Sequence, residues 1–420
     1  MTDAPDGTLF TQIRDPANRA DPYPLYARLR AQPVARQDDG SDDGTWVASG
    51  YAAIRALLHD PRVSSEDLPP AEHPPTGNPV KDWIVNPLKD WITDRHRPFI
   101  FRDPPDHGAL RRQVMSQLTI ARVRGMKRRT EALVAQCLDR CAGCRRFDLV
   151  DDLAYPLPVT VICELLGVPR EDEPRFHAWA TQLATALEPE SRHDEALRAR
   201  NTETFDAIAS YMRDLIREKR RAPADDLLSG LATAKDPQVG RMSGPDLVAT
   251  AILLLIAGHE TTVNLITNGM LTLLRHPAEL ARLRADPERA PLVIEELLRY
   301  EPPVHFRTRL TRAPILVAGT VIPAGVPLVL LFAAGNRDPA RFPDPDRFDP
   351  DREDNQHFGF GGALHYCVGA PLARIEAEAA LTALAARLSA PRLAEDPPPY
   401  RPGASLRGPK RLLLQIDGIG

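Results

Sequence analysis

One long helical pattern, from Ser243 to Pro277, constrains the fold more than any other segment. Ser243-Gly244-Pro245-Asp246 combines a capping serine, an early proline and an acid in the first turn, and His276-Pro277 ends the pattern. Apolar residues surround its first half on almost every side. A helix of this kind crosses the interior of a protein rather than lying on its surface.

The domain organisation follows from what surrounds this helix. A chain of 420 residues exceeds the usual size of a single domain, but no long Gly/Ser-rich linker divides it. Helical patterns run from about residue 120 to 300. The 42 prolines cluster in 61–105, 302–350 and 391–409, which indicates ordered loops and turns. We expect one mostly helical domain spanning residues 1–420, with enough apolar content for a sizeable core.

Composition excludes several classes of protein. The N-terminus lacks the pattern of a signal peptide, and the longest apolar run, Leu247 to Gly258, is too short to span a bilayer. We therefore expect a soluble, cytoplasmic protein that does not bind membranes. A net charge of −4 argues against a general nucleic-acid binder. The odd number of cysteines argues against a disulfide framework, and we expect Cys137 and Cys141 to pack in the core.

A basic cluster interrupts this acidic balance. Its members are Arg122, Arg124, Lys127, Arg128 and Arg129, with Arg111 and Arg112 just upstream. The cluster is either a solvated helix face or a docking patch for an acidic electron donor, where charge complementarity mainly raises the association rate. The sequence leaves both interpretations open.

A glycine-rich loop with one cysteine lies near the C-terminus. It reads Phe360-Gly361-Gly362-Ala363-Leu364-His365-Tyr366-Cys367-Val368-Gly369. Such a loop can hold a thiolate still, aim backbone N–H groups at its sulfur and let a flat cofactor approach the backbone. A thiolate ligand pushes electron density onto haem iron and favours O–O bond cleavage.

This loop resembles the haem-binding loop of the cytochrome P450 family, and the resemblance extends from Asp21-Pro22-Tyr23-Pro24 to the final strands. It implies a mainly α fold with a smaller β-rich lobe, shaped as a triangular prism, with haem b between the long central helix and the cysteine loop. Cys367 would be the iron ligand, and Phe360, His365 and Gly369 would help bind the haem. Ala363 stands where the family usually has a third glycine, for which we expect a slightly tighter turn and an intact site.

The central helix carries a second motif, Ala257-Gly258-His259-Glu260-Thr261. The small Ala257-Gly258 pair leaves room for a ligand over the backbone. Thr261 can hydrogen-bond to the carbonyl of Ala257, which loosens the local ladder and can open a groove. By resemblance to the family's acid–alcohol pair, Glu260 and Thr261 would deliver protons during dioxygen activation. For His259 we expect a packing or surface role.

Haem propionates require cationic partners or hydrogen-bond donors when they are buried. His107 and Arg111 lie four residues apart on one predicted helix and match the family's propionate clamp. Arg309, before a β-like stretch from Ile315 to Pro323, matches a further propionate-binding arginine, with Arg307 as the neighbour that could take its place. His365 completes this set.

A scaffold motif and the substrate region complete the expectations. The resemblance implies a buried network of Glu296, Arg299 and Arg347. Trp83 and Trp91 lie in the least family-like segment, 68–99, and either contact a substrate or anchor a long loop. Residues 251–258, 304–306 and 404–406 are candidate pocket walls, and their apolar character suggests a hydrophobic substrate.

The expected function is a haem-thiolate monooxygenase that inserts one atom of dioxygen into a hydrophobic small molecule of secondary metabolism. No nucleotide-binding glycine fingerprint adjoins a βαβ pattern, so electrons would come from a ferredoxin and its reductase. One alternative is a peroxide-driven or coupling-type haem-thiolate oxidase, which has no need of the Glu260-Thr261 relay if peroxide supplies the oxygen. Another is a non-catalytic haem-binding protein.

Overall fold

The computed structural model describes residues 8–38, 44–66, 98–186 and 195–420. The described α-helices are α1 (Leu9–Arg14), α2 (Tyr23–Arg30), α3 (Tyr51–His59), α4 (Asp106–Gln117), α5 (Ile120–Gly125), α6 (Lys127–Arg140), α7 (Pro156–Leu166), α8 (Glu173–Ala186), α9 (Glu195–Arg221), α10 (Leu227–Thr233), α11 (Gly244–Arg275), α12 (Pro277–Ala285), α13 (Ala290–Tyr300), α14 (Phe332–Gly335) and α15 (Ala370–Arg387). The described strands are β1 (Val34–Gln37), β2 (Thr45–Ala48), β3 (Val63–Ser64), β4 (Arg146–Asp148), β5 (Arg307–Thr311), β6 (Ile315–Val317), β7 (Thr320–Ile322), β8 (Pro327–Leu330), β9 (Leu388–Ser389), β10 (Arg392–Leu393), β11 (Leu413–Gln415) and β12 (Gly418–Ile419).

Helix α11 is the predicted interior helix, and it begins and ends where the sequence indicated. The Ser243 hydroxyl accepts a hydrogen bond from the N–H of Asp246, and His276 follows its last residue. Helices α7, α9, α13 and α15 pack around it. Length and composition alone would let this helix cross a membrane, but 72% of its most apolar window is buried inside the fold. It is therefore a core helix.

The β-rich part is built around a five-stranded sheet in the order β1-β2-β8-β5-β3. Strands β2 and β8 are parallel and the other neighbours are antiparallel. Arg307 and Arg309 lie two residues apart on β5, so their side chains project from the same face of the sheet. The predicted mainly α fold with a smaller β-rich lobe is confirmed.

A small apolar cluster joins the N-terminal helices to the chain before β5. Phe306 and Ala404 are buried in it, and the Phe306 ring meets Phe10 edge-on at 5.9 Å between ring centres. These two residues therefore pack in the core and do not line an open pocket, contrary to our expectation. Val304 and Leu406, which face each other across a β-bridge, remain partly accessible.

The Glu296–Arg299 pair is completely buried on α13, with two hydrogen bonds of 2.7 Å. The prediction that Arg347 completes the network was wrong, because its side chain is 67% exposed and pairs with Asp349. Only the Arg347 carbonyl takes part, accepting from the Arg299 guanidinium at 3.0 Å. The second arginine of the network is Arg352, whose Nε lies 3.7 Å from Glu296.

Candidate active site

The cysteine loop is held by its own backbone and leads directly into α15. The N–H of Cys367 donates to the carbonyl of Phe360 at 3.0 Å, which closes the loop. The Cys367 sulfur is recessed but accessible, and this burial raises the pKa of its thiol. The backbone N–H groups of Gly369 and Ala370 and the charge of Arg111 act against burial and lower the pKa of this thiol. These groups are arranged to stabilise a thiolate.

Ala363 occupies an unusual backbone conformation in this loop. Its φ is +51°, within the left-handed region that glycine tolerates best, and it opens a short 3₁₀ turn that ends at His365. The Gly361 before it also has a positive φ. Alanine thus fills a position that favours glycine, and the loop closes with the alanine in place.

Histidine and arginine side chains from three separate elements converge near Cys367. His107 and Arg111 come from α4, Arg307 and Arg309 from β5, and the rings of His107 and His365 lie 4.2 Å apart. Burial, followed by the charges of Arg309, His107 and Arg111, lowers the pKa of His365 to about 3. Burial, followed by the neighbouring charge of Arg307, lowers the pKa of Arg309 to about 10.

Two residues that the sequence did not indicate support His365. The Ser65 hydroxyl lies 2.9 Å from His365 Nε2, and the Ser65 N–H donates to Asp103 at 2.9 Å. Both partners are far from His365 in the sequence and belong to no motif. A short polar side chain after a two-residue strand gives no signal by itself, so only the folded chain identifies them.

The central helix exposes its backbone at the predicted small pair. Ala257 and Gly258 are exposed midway along a helix that is otherwise mostly buried, and a Cβ built on Gly258 would meet no atom within 4 Å. The Thr261 hydroxyl donates to the Ala257 carbonyl at 2.8 Å, as predicted. The helix nevertheless remains α-helical throughout, so this hydrogen bond does not interrupt it.

Glu260 and His259 are both buried beside this open surface. Glu260 forms an ion pair with Arg401, a partner that the sequence did not indicate. His259 stacks edge-on against Tyr155 at 4.3 Å and has the packing role that we expected. Burial, followed by the charge of Arg401, lowers the pKa of His259 to about 3, so its ring is neutral at physiological pH.

The basic cluster is divided by the fold. Arg122 pairs with Asp225 at 3.0 Å, and Arg129 donates to the Glu164 carboxylate through its Nε and Nη2. Arg111 turns toward His365 and Cys367. Arg124 and Arg128 stay exposed on α5 and α6, which pack beside α15. Trp83 and Trp91 lie outside the described residues.

The chemistry of these side chains fits haem. Within the described ranges, the guanidinium groups of Arg111 and Arg307 form no hydrogen bond or ion pair, and His107 Nε2 is buried without a partner. Free donors of this kind match the two carboxylates of the cofactor. A recessed thiol and an open helix surface match its metal and its flat ring.

The comparisons with known proteins agree with this arrangement. Residues 80–416 match the sequence profile of the family described as Cytochrome P450. The chain belongs to this family, whose members bind haem through a cysteine thiolate, and it is a cytochrome P450 monooxygenase.

Relatives are similar over nearly their whole length. The chain is 40% identical to cytochrome P450 monooxygenase PikC of Streptomyces venezuelae, over 94% of this chain and 91% of that protein. It is 34% identical to 6-deoxyerythronolide B hydroxylase of Saccharopolyspora erythraea, over 100% of both. The ligand-free structure of Mycobacterium smegmatis CYP164A2 matches with a TM-score of 0.82 and 39% identity, over 97% of this chain and 99% of that one.

Proposed function

We propose that this protein uses electrons from a ferredoxin to hydroxylate a hydrophobic small molecule of secondary metabolism in the cytoplasm, with residues 1–420 acting as one catalytic domain. The observation that carries the proposal is the open backbone of Ala257-Gly258 beside Glu260 and Thr261, in a helix that packs on α15, the helix that follows Cys367. The names of the relatives, 6-deoxyerythronolide B hydroxylase among them, support hydroxylation as the reaction.

Each site residue then has a distinct task. Cys367 holds the haem, which when bound supplies dioxygen activation, while His107, Arg111, Arg307, Arg309 and His365 orient its carboxylates. Thr261 keeps a hydroxyl over the accessible backbone, where it can hold a water molecule. Glu260 supplies protons to that position, and Arg401 fixes the orientation of its carboxylate.

Accessible apolar side chains support a hydrophobic substrate. Leu253 and Ile256 on α11 remain partly accessible on the approach to Ala257, and Val304 and Leu406 are partly accessible at their β-bridge. Burying apolar surface contributes roughly 25 cal/mol per Å², so a ligand that covers these side chains gains affinity mainly from desolvation.

A surface beside the cysteine loop supports the assignment of the electron donor. Leu364 is 56% exposed and Tyr366 is 39% exposed at the loop itself. Arg124 and Arg128 lie on the neighbouring helices α5 and α6. An apolar centre with basic residues around it suits a small acidic ferredoxin, because charge complementarity raises the association rate.

The first experiment is a titration of the purified haem-loaded protein with macrolides, steroids, fatty acids and terpenoids, followed by the Soret absorption band. A saturable shift to the high-spin position is expected for the substrate class, and turnover with a ferredoxin and its reductase should then give one product per NAD(P)H. Cys367→Ala should abolish the thiolate spectrum. Its retention would show that another cysteine binds the iron.

Thr261→Ala separates the proposed activity from its alternatives. Protons would be delivered less selectively, so electron consumption should continue while product formation falls. Coupling that equals that of the unsubstituted protein would refute the proton role of Thr261. Turnover that requires peroxide and ignores the ferredoxin would favour the peroxide-driven alternative.

A further inference from the structure

Two cysteines stand three residues apart where α6 ends and the chain turns toward β4. The segment reads Cys141-Ala142-Gly143-Cys144. The Cys144 N–H donates to the Cys141 carbonyl at 3.0 Å, and Gly143 has a φ of +84°, so the four residues form a closed turn. The end Cα atoms of such a turn lie less than about 7 Å apart, and a disulfide spans about 4.4–6.8 Å between Cα atoms. The backbone therefore places both cysteines at a separation that a disulfide can bridge.

The two thiols differ in their access to solvent. Cys141 is 9% exposed and packs in the core, as does Cys137 one helical turn before it, whereas Cys144 is exposed. Burial, followed by the charges of Asp152 and Cys144, raises the pKa of Cys141. Cys141 also directly follows the last residue of α6, where the partial negative charge of a helix C-terminus disfavours a thiolate. Cys144 is therefore the accessible thiol of the pair, and Cys141 is the protected one.

Exposed arginines flank the turn on both sides along the chain. Arg140 is the last residue of α6, and Arg145 and Arg146 directly follow Cys144. Small disulfides that are built from amino acids carry carboxylates, and positive charge on the protein surface raises the local concentration of such anions. The arginines therefore favour the approach of an anionic disulfide to the exposed thiol of Cys144.

Neither metal binding nor packing accounts for the pair. Among the residues that the structure describes, no three His, Cys, Asp or Glu side chains are grouped to hold a metal ion, so the turn is not part of a zinc site there. Packing explains Cys141, but the side chain of Cys144 lies at the surface. In reducing compartments, disulfides that form are usually transient and respond to oxidants. The spacing and the unequal exposure of the two thiols fit a pair of this kind.

We propose that Cys141 and Cys144 form a reversible disulfide by exchange with an anionic low-molecular-weight disulfide, and that this bridge fixes the joint between α6 and β4. The Cys144 thiolate attacks one sulfur of the small disulfide, which forms a mixed disulfide and releases one thiolate. Cys141, once deprotonated, attacks the Cys144 sulfur and releases the second thiolate. The two protein thiols are oxidised, the small disulfide is reduced to two thiols, and the two protons pass to these thiols through the solvent. The inference does not depend on the proposed function.

Peptide mapping of the haem-loaded protein, with glutathione disulfide as the probe, tests the bridge directly. Trypsin cleaves after arginine, so residues 141–145 form one peptide that contains both cysteines, while Cys137 falls in the peptide before it. The bridged peptide should be about 2 Da lighter than the reduced one and should not react with iodoacetamide, and dithiothreitol should reverse both changes. A peptide that stays reduced, or that retains bound glutathione, would overturn the proposal.

Single substitutions test the order of attack, and the Soret spectrum shows that each variant is folded. Cys141→Ser should stop the reaction at the mixed disulfide, so Cys144 should retain one glutathione. In Cys144→Ser, glutathione should add to the buried Cys141 about tenfold more slowly. Cys137→Ser is the matched control, because Cys137 is 5% exposed one turn earlier, and it should keep the bridge. Equally fast addition to Cys141, or loss of the bridge in Cys137→Ser, would overturn the proposal.

Hydrogen exchange tests whether the bridge fixes the joint. The chain after the turn is held to the C-terminal strands, because β4 pairs with β11 and the Ile416 N–H donates to the Arg145 carbonyl at 3.1 Å. The Cys144 N–H closes the turn, so its exchange should slow about tenfold in the bridged protein. The Gly167 N–H, which donates to the Glu164 carbonyl at 3.1 Å after α7, is the internal control and should not change. Equal exchange of the Cys144 N–H in the reduced and bridged proteins would overturn the proposed effect on the joint.

Discussion

Replacing Glu296 by glutamine tests whether the buried Glu296–Arg299 pair supports the fold. The carboxylate accepts two hydrogen bonds from Arg299 at 2.7 Å, one from the Asp349 N–H at 2.8 Å and one from Asn355 at 3.2 Å. Glutamine would turn an N–H₂ group toward one of these donors and would leave the buried guanidinium without its counter-charge. Breaking a buried ion pair in this way costs about 3–5 kcal/mol.

The lower part of this range is expected for Glu296→Gln. Arg299 also donates to the carbonyls of Asn336 and Pro345, at 3.0 Å and 2.8 Å, and these bonds remain in the variant. With an unfolding entropy of about 2.1 cal/mol/K per residue, a loss of about 3–4 kcal/mol lowers the Tm by about 3–5 °C. The assay is thermal unfolding followed by circular dichroism at a fixed haem concentration.

Glu279→Gln is the matched control for this measurement. Glu279 and Arg282 have the same i, i+3 spacing on α12 and approach to 3.0 Å, but the pair lies at the surface. Solvent screens such a pair, so the Tm should not change measurably. Equal shifts in the two variants would refute the reasoning, because burial would then make no difference to the energy of the pair.

Three further predictions concern the site. Ala363→Gly should stabilise the protein by about 0.5–1 kcal/mol. Glycine adopts the positive φ of this position without strain, and this gain exceeds the cost of its greater freedom in the unfolded chain. A lower Tm by circular dichroism would contradict this prediction. Because the pKa of His259 is lowered in the folded protein, the unfolded chain binds a proton at a higher pH than the folded protein does. The free energy of unfolding should therefore be highest above about pH 6.5 and fall below that pH, by about 2 kcal/mol at about pH 5. The Tm of His259→Gln should therefore fall less between pH 7 and pH 5 than the Tm of the unsubstituted protein. Equal falls in Tm would contradict the lowered pKa of His259. Arg307→Met and Arg309→Met should each release haem about tenfold faster to an apomyoglobin acceptor, whereas the surface substitution Arg112→Met should not.

The sequence was sufficient to predict features that depend only on residues close together in the chain. The start of α11 follows from Ser243 and Pro245, and its interior position follows from apolar residues on nearly all sides. The Thr261 hydrogen bond to Ala257 was also predictable, because both residues lie on one turn of one helix. The positions of Cys367 and His365 were predictable because a compact motif contains them.

Partners that come from distant parts of the chain could not be predicted. Arg401 reaches Glu260, and Ser65 reaches His365, only through the packing of whole elements. The choice of Arg347 instead of Arg352 failed for the same reason. Both arginines follow α13 in the same loop-rich region, and only the path of that loop decides which side chain turns inward.

The buried turns and the exposed turns of α11 differ in what a mutation there would change. Side chains on its buried turns hold the core together, so a change there lowers the amount of folded protein. Leu253, Ile256 and Ala257 are partly accessible or exposed, and they contribute less to that packing. Under the proposed function, we expect mutations at these three positions to alter which molecule is oxidised while the fold stays intact. Directed evolution of this enzyme toward new substrates should therefore begin at these three positions.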